Sequence, residues 1–209
     1  MPQSIPDGRR RKGDSSRQQL VEAMIQAVAR HGLPGATISV VAELAGVSRS
    51  LVNFHFKQKE QLLDSALDLA LHTYQQSLAT ALAECETTPS ARLAADIRHD
   101  IHFAATHPEL LALWYASWSE RHSLQQYRAT TLASDRLYRM AYTTCFEQLL
   151  GDAEQARRCG MIVDSFIDGL WLDCHLDPDN FSVSEAEACA EILLQSLLHT
   201  PASGAHHAS

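Results

Sequence analysis

No stretch of this 209-residue chain stays apolar for the ~20 residues that a bilayer-spanning helix requires, because charges interrupt the longest hydrophobic runs. Residues 1–14 are polar and basic and lack the apolar core of a signal peptide, so a cytoplasmic location and no membrane partner are expected. Five cysteines, Cys85, Cys145, Cys159, Cys174 and Cys189, are widely spaced with no C-x-x-C among them. That spacing argues against a disulfide framework or a zinc knuckle and suits small reduced hydrophobes. No Ser-His-Asp spacing, phosphate loop or paired-carboxylate motif is present, so no catalytic residue, metal or cofactor is assigned. His99 and His102, or Asp96 with His99 and Asp100, could share a helix face, but no second cluster completes a metal site. Runs of alternating polarity long enough for a strand are also missing, and the expected fold class is all-α.

Positive charge is scarce overall, with a net of -8, yet it is unevenly placed. Residues 1–64 hold nine Lys/Arg against six Asp/Glu, whereas residues 65–209 hold eight against nineteen. A basic end that meets phosphates and an acidic remainder that stays soluble would produce this split.

Along the chain, residues 1–14, with Pro2, Pro6 and the run Arg9-Arg10-Arg11-Lys12, read as a flexible basic arm, either contacting DNA or simply solvated. Leu20, Val21, Met24, Ile25 and Val28 then recur at helical spacing until Gly32 and Pro34. Thr37 caps a short second helix, Gly46 breaks it, and Ser48 caps a third running to about His55. Longer helices are expected near residues 59–86, 90–106, 108–121, 123–150, 152–176 and 184–199, with a disordered tail over 201–209.

The segment TISVVAELAGVSRSLVNFHFKQKEQL, from Thr37 to Leu62, has helix-turn-helix spacing. Ala42 lets two helices approach, and Gly46 can adopt the left-handed conformation of a tight turn. Val41, Leu44, Val47, Val52 and Phe56 can converge inside, which leaves Arg49, Ser50 and Asn53 on the opposite face. Arg49 can donate twice to guanine and Asn53 can pair with adenine. Thr37, Ser39, Ser48, His55 and Lys59 suit phosphate oxygens, which position without specifying.

With those residues in view, the block from Ile38 to Leu62 resembles the DNA-binding signature of the TetR family of transcriptional regulators. The resemblance adds Phe54 to the DNA-facing set and implies a phosphate-contacting role for Lys59. It departs at Asn53, where the family commonly has Tyr, and at Leu51, where Thr is common.

All three tryptophans lie between residues 108 and 176, among many of the tyrosines and phenylalanines. Trp114 and Trp118 share a helix face, and Asp164 and Asp168 do likewise on the helix bearing Trp171. Aromatics at such spacing are ordinarily core, but an aromatic wall with a carboxylate is also what an ammonium ligand needs. The segments LWYASWSERHSLQQYRATTLASDRLYR and FIDGLWLDCHLDPDNFSVSEA resemble the C-terminal domain of the BetI-type, choline-responsive branch of that family. Asp173 stands where that branch tends to have Arg. The resemblance implies a small-molecule inducer, with a quaternary amine such as choline as the expected class, and Trp114, Tyr115, Trp118, Asp168 and Trp171 are the candidate ligand residues.

The expected organisation is an arm (1–14), a three-helix DNA-binding domain (15–58), a ligand-binding and dimerisation domain of about six helices (59–200) and a tail. The expected activity is that of a homodimeric repressor, paired through its last two helices, that binds a palindromic double-stranded operator and leaves it when the inducer binds. Two alternatives stand beside it: the same fold without an inducer, and an all-helical enzyme using a central cavity.

Overall fold

A computed structural model describes the backbone of residues 8–119 and 125–199, and side chains over 15–118 and 138–199. Among the described residues there are nine α-helices and no strands: α1 (Gly8–Gly35), α2 (Ile38–Leu44), α3 (Arg49–His55), α4 (Lys59–Glu84), α5 (Pro89–Thr106), α6 (Pro108–Ser119), α7 (Gln125–Leu150), α8 (Ala153–Leu176) and α9 (Val183–His199). No helix of the described residues is long and apolar enough to cross a membrane. The expected disordered tail lies outside the described residues.

One boundary differs from expectation. Helix α1 opens at Gly8, so Arg9 to Lys12 lie in its first turns rather than in an arm that precedes the helix. Arg, Lys and Gln are good helix formers, and no proline follows Pro6 until Pro34 to oppose them. Gly32, at φ 67°, breaks α1 near its end.

The chain packs as two compact units: Met1–Thr73 with Glu109–Tyr127, and Tyr74–Pro108 with Arg128–Ser209. Helix α4 thus gives its first part to one unit and its second part to the other.

In the first unit, Val41, Val52 and Phe56 are buried with Leu20, Met24 and Val28 of α1. Leu44 and Val47 are half-buried at the edge of that core. The Thr37 hydroxyl oxygen accepts from the Val40 amide, and that of Ser48 from the Leu51 amide, so both short helices are capped. Gly46 has φ 65°, the turn conformation that a side chain would strain by about 1–2 kcal/mol. Two side chains brace the motif. Gln19 Nε2 donates to the Ala45 carbonyl at the end of α2 (2.8 Å), and the Arg17 guanidinium lies over the Phe56 ring while donating to Ser65.

The second unit is built around Leu93, Ile97 and Ile101 of α5, Tyr142 and Phe146 of α7, and Val163 and Ile167 of α8, closed by Ala186 and Ala190 of α9. Gly160 marks the close approach of α7 and α8, since a Cβ there would lie 2.5 Å from Thr143 Oγ1 and 3.1 Å from its amide nitrogen. Asp152 caps α8 by accepting from two amides, and Ser182 caps α9 by accepting from the Glu185 amide. Cys159 and Cys174 are buried as free thiols whose pKa values burial raises.

Candidate functional site

Two assemblies of side chains carry chemistry, one in each unit. In the first, burying Val52 and Phe56 turns the other side of α3 to solvent. Ser48, Arg49, Ser50, Asn53 and Phe54 are all exposed there, and His55 is half-buried. Six of the nine residues expected from the sequence thus lie on α3 or at its cap, whereas Thr37 caps α2, Ser39 lies on α2 and Lys59 opens α4. Four of the nine also have a structural duty or a less open position. Thr37 and Ser48 are caps, Ser39 is half-buried, and Lys59 Nζ donates to the Leu33 carbonyl. Lys57 Nζ donates to the Asn53 carbonyl (3.3 Å), placing a cation at the C-terminal end of α3.

The five candidate ligand residues are divided between the units. Trp114, Tyr115 and Trp118 lie on α6 in the first, where Trp114 is buried and Tyr115 meets Trp118 edge-on at 4.9 Å. Asp168 and Trp171 lie on α8 in the second; Asp168 is exposed and Trp171 half-buried. They form no five-membered cluster within either unit.

What the second unit assembles instead is a buried carboxylate centre. Asp100, only 2% exposed, accepts from the Tyr74 hydroxyl through Oδ1 and from the Tyr142 hydroxyl through Oδ2, each at 2.5 Å. Burial and the nearby Asp100 and Asp96 raise both phenol pKa values well above normal, so the hydroxyls keep their donor protons. Trp171 Nε1 donates to the Asp100 carbonyl at 3.0 Å. Rings close around these groups. Tyr74 meets His99, Phe103 and Tyr138 edge-on at 5.1 Å and Trp171 at 5.9 Å, and Phe103 stacks on His107 at 4.1 Å.

His99 completes the centre. Ser77 Oγ and His99 Nε2 are hydrogen-bonded at 2.7 Å, and the same hydroxyl lies 3.0 Å from the Tyr74 carbonyl. His99 Nδ1 has no hydrogen bond among the described residues and lies 3.5 Å from Asp100 Oδ1. Asp96 lies one turn before Asp100 on α5. Desolvation, then the Asp100 charge, push its pKa up to about 8, against an opposing pull from Arg92. At neutral pH Asp96 is mostly the neutral acid.

The Asp96–His99–Asp100 face was visible as a helical spacing but assigned no role. Tyr74, Tyr138 and Tyr142, which give it meaning, come from two other helices that no local pattern links to it. The signal available was the run of polar residues inside the otherwise apolar stripe Leu93, Ile97, Ile101. Other histidines stay outside the centre's polar core: His102 pairs with Glu187 at 3.0 Å, and no group of three metal-ligating residues occurs among the described residues.

The raised pKa of Asp96 has a consequence for stability. The unfolded carboxyl titrates near 3.8 and the folded one near 8, so the stability tied to the neutral form is complete below about pH 4 and lost as pH rises through 8. Asp96→Asn should therefore match the wild type in thermal melts near pH 4 and exceed it by several degrees at pH 9. Parallel profiles from pH 4 to 9 would show that Asp96 is not held protonated.

Both parts of the chain match known families. Residues 20–66 match the model of bacterial regulatory proteins of the tetR family, and residues 89–199 match that of the BetI-type transcriptional repressor, C-terminal. The HTH-type transcriptional regulator BetI of Pectobacterium carotovorum subsp. carotovorum (strain PC1) is 31% identical over 179 residues, covering 83% of this chain and 89% of the relative. A transcriptional regulator from Pseudomonas aeruginosa PAO1 shares the fold at TM-score 0.73 and 25% identity, over 87% of this chain and 89% of its own. One from Saccharomonospora viridis, solved in complex with choline, superposes at TM-score 0.76 with 17% identity, over 90% of this chain and 97% of its own. These relatives are regulators, not enzymes, which removes the all-helical enzyme as an alternative. A capped, glycine-turned helix pair at the N-terminal end and a matching C-terminal half place the chain in the TetR family, as a DNA-binding transcriptional regulator with a BetI-type C-terminal domain.

Proposed function

We propose that the protein is a homodimeric repressor, acting in the cytoplasm on a palindromic operator, and that a small quaternary or tertiary ammonium compound releases it. The observation that carries the ligand class is the Asp100 centre. The Asp100 carboxylate and the ring faces of Tyr74, Phe103, Tyr138 and Trp171 are electron-rich, and no Lys or Arg among the described residues hydrogen-bonds that carboxylate. A desolvated cation is the complementary ligand, each ring face contributing about 0.5–2 kcal/mol. Of the five residues expected to hold it, Trp171 belongs to this centre. The choline bound to the Saccharomonospora viridis regulator lends support to a ligand of this class. Release follows if the ligand prefers the conformer with lower operator affinity, a coupling of about 1–3 kcal/mol.

Isothermal titration with choline and with its uncharged isostere 3,3-dimethylbutan-1-ol tests the charge requirement. Choline should bind, at least about tenfold more tightly than the isostere, and Asp100→Asn should erase the difference. Choline affinity should also rise between pH 7 and 9 as Asp96 loses its proton. Equal binding of the two compounds would remove the cation from the reading.

Dimerisation through α8 and α9 is favoured by what those helices leave uncovered. On α8 the exposed residues Ile162, Ser165, Gly169, Leu172 and Leu176 recur at alternating spacings of three and four, one stripe along the helix. A Cβ at Gly169 would meet nothing within 4 Å, leaving room for a partner backbone. Helix α9 exposes Cys189, Ile192, Gln195 and Ser196, whereas Ala186 and Ala190 turn into the unit's own core. Sedimentation should give twice the 23.1 kDa chain mass, and Leu172→Glu with Ile192→Glu should give monomers. A monomeric wild type would defeat this assignment.

Arg49 and Asn53 are placed to read base edges. Against an operator obtained by selection from random duplexes, Arg49→Ala and Asn53→Ala should each lose about 1–3 kcal/mol of affinity and relax preference at one base pair per half-site. Unchanged sequence preference in both variants would take base reading away from α3.

A further inference from the structure

The recognition helix carries a ring where solvent-facing chemistry would favour a polar group. Phe54 is 72% exposed, the most exposed large hydrophobic residue described, and it lies in a helix of only seven residues. No other α3 residue explains it: Val52 is buried and Leu51 half-buried, so the core of the unit has no need of a further apolar side chain. Phe54 follows Ser50 by four residues and so shares its face, flanked by Asn53 on one side. Its ring is not adrift, since it stands perpendicular to the His55 ring at 5.2 Å and 86°.

In a family that binds DNA, this face meets the major groove, where base edges offer donors, acceptors and one apolar group, the 5-methyl of thymine. Arg49, Ser50 and Asn53 are matched to the polar features. We infer that Phe54 is a specificity-determining residue that reads thymine by packing its ring against that methyl group. This inference rests on α3 being the base-reading helix. Burying one methyl releases about 0.8 kcal/mol, so losing it lowers affinity about fourfold per half-site. A dimer engaging two half-sites shows the product of the two effects.

The test replaces single atoms in the DNA rather than the protein. In the selected operator, each thymine is changed to deoxyuracil, symmetrically in both half-sites, and affinities are measured for the wild type, Phe54→Leu and Phe54→Ala. Low ionic strength keeps weakened variants on the duplex. An exposed side chain leaves no cavity when truncated, and matching melting curves confirm that each variant is folded. At one thymine per half-site the wild type should lose affinity about tenfold or more on methyl removal. Phe54→Ala should bind the thymine and uracil duplexes alike, with Phe54→Leu between. A wild type indifferent to methyl removal at every position overturns the inference, and so does a Phe54→Ala variant with undiminished discrimination. In either case, continued selection of an operator shows that α3 still reads DNA through its polar residues. Loss of all sequence preference in the wild type would instead defeat the underlying assignment of α3.

Discussion

A carboxylate taken out of water costs several kcal/mol unless donors meet it, and Asp100 is met by phenols from two different helices, Tyr74 on α4 and Tyr142 on α7. Trp171 of α8 adds a bond to the same residue's backbone. Four helices are thereby registered on one residue, and the rings that surround it pack on each other edge-on or stacked. An apolar core alone would hold these helices together with less geometric demand. The polar knot fixes which tyrosine faces which oxygen, and it leaves His99 Nδ1 and the acid Asp96 beside the carboxylate with little further choice of partner.

The first unit obeys a simpler rule. Once Val41, Val52 and Phe56 are buried and the two caps are satisfied, the outward face of α3 is determined, because a seven-residue helix has only one side left. Arg49, Ser50, Asn53 and Phe54 on that face take no part in the core and can change in sequence at small cost to stability, while Gln19, Arg17 and Gly46 hold the frame of the helix pair.

How far these features could be read from the sequence differs between the two units for a physical reason. Helix order and the caps Thr37 and Ser48 are local, so spacing and capping chemistry revealed them. The solvent-facing side of α3 was legible because its residues lie within one short stretch and follow helical spacing. The carboxylate centre was not, since Tyr74, Asp100, Tyr142 and Trp171 are far apart in the chain and only packing unites them. Local reading instead grouped Trp171 and Asp168 with Trp114, Tyr115 and Trp118, where aromatic density was highest, although the chain deals these residues to different units. The start of α1 was misplaced because Pro and Gly near the N-terminus outweighed the helix-forming arginines in the reading.

Lys59 is half-buried, with its ammonium group held by the Leu33 carbonyl at the end of α1. A neutral carbonyl takes one of the three ammonium hydrogens and none of the charge. Lys59 thus ties the start of α4 to the end of α1 and remains a full cation beside the helix pair.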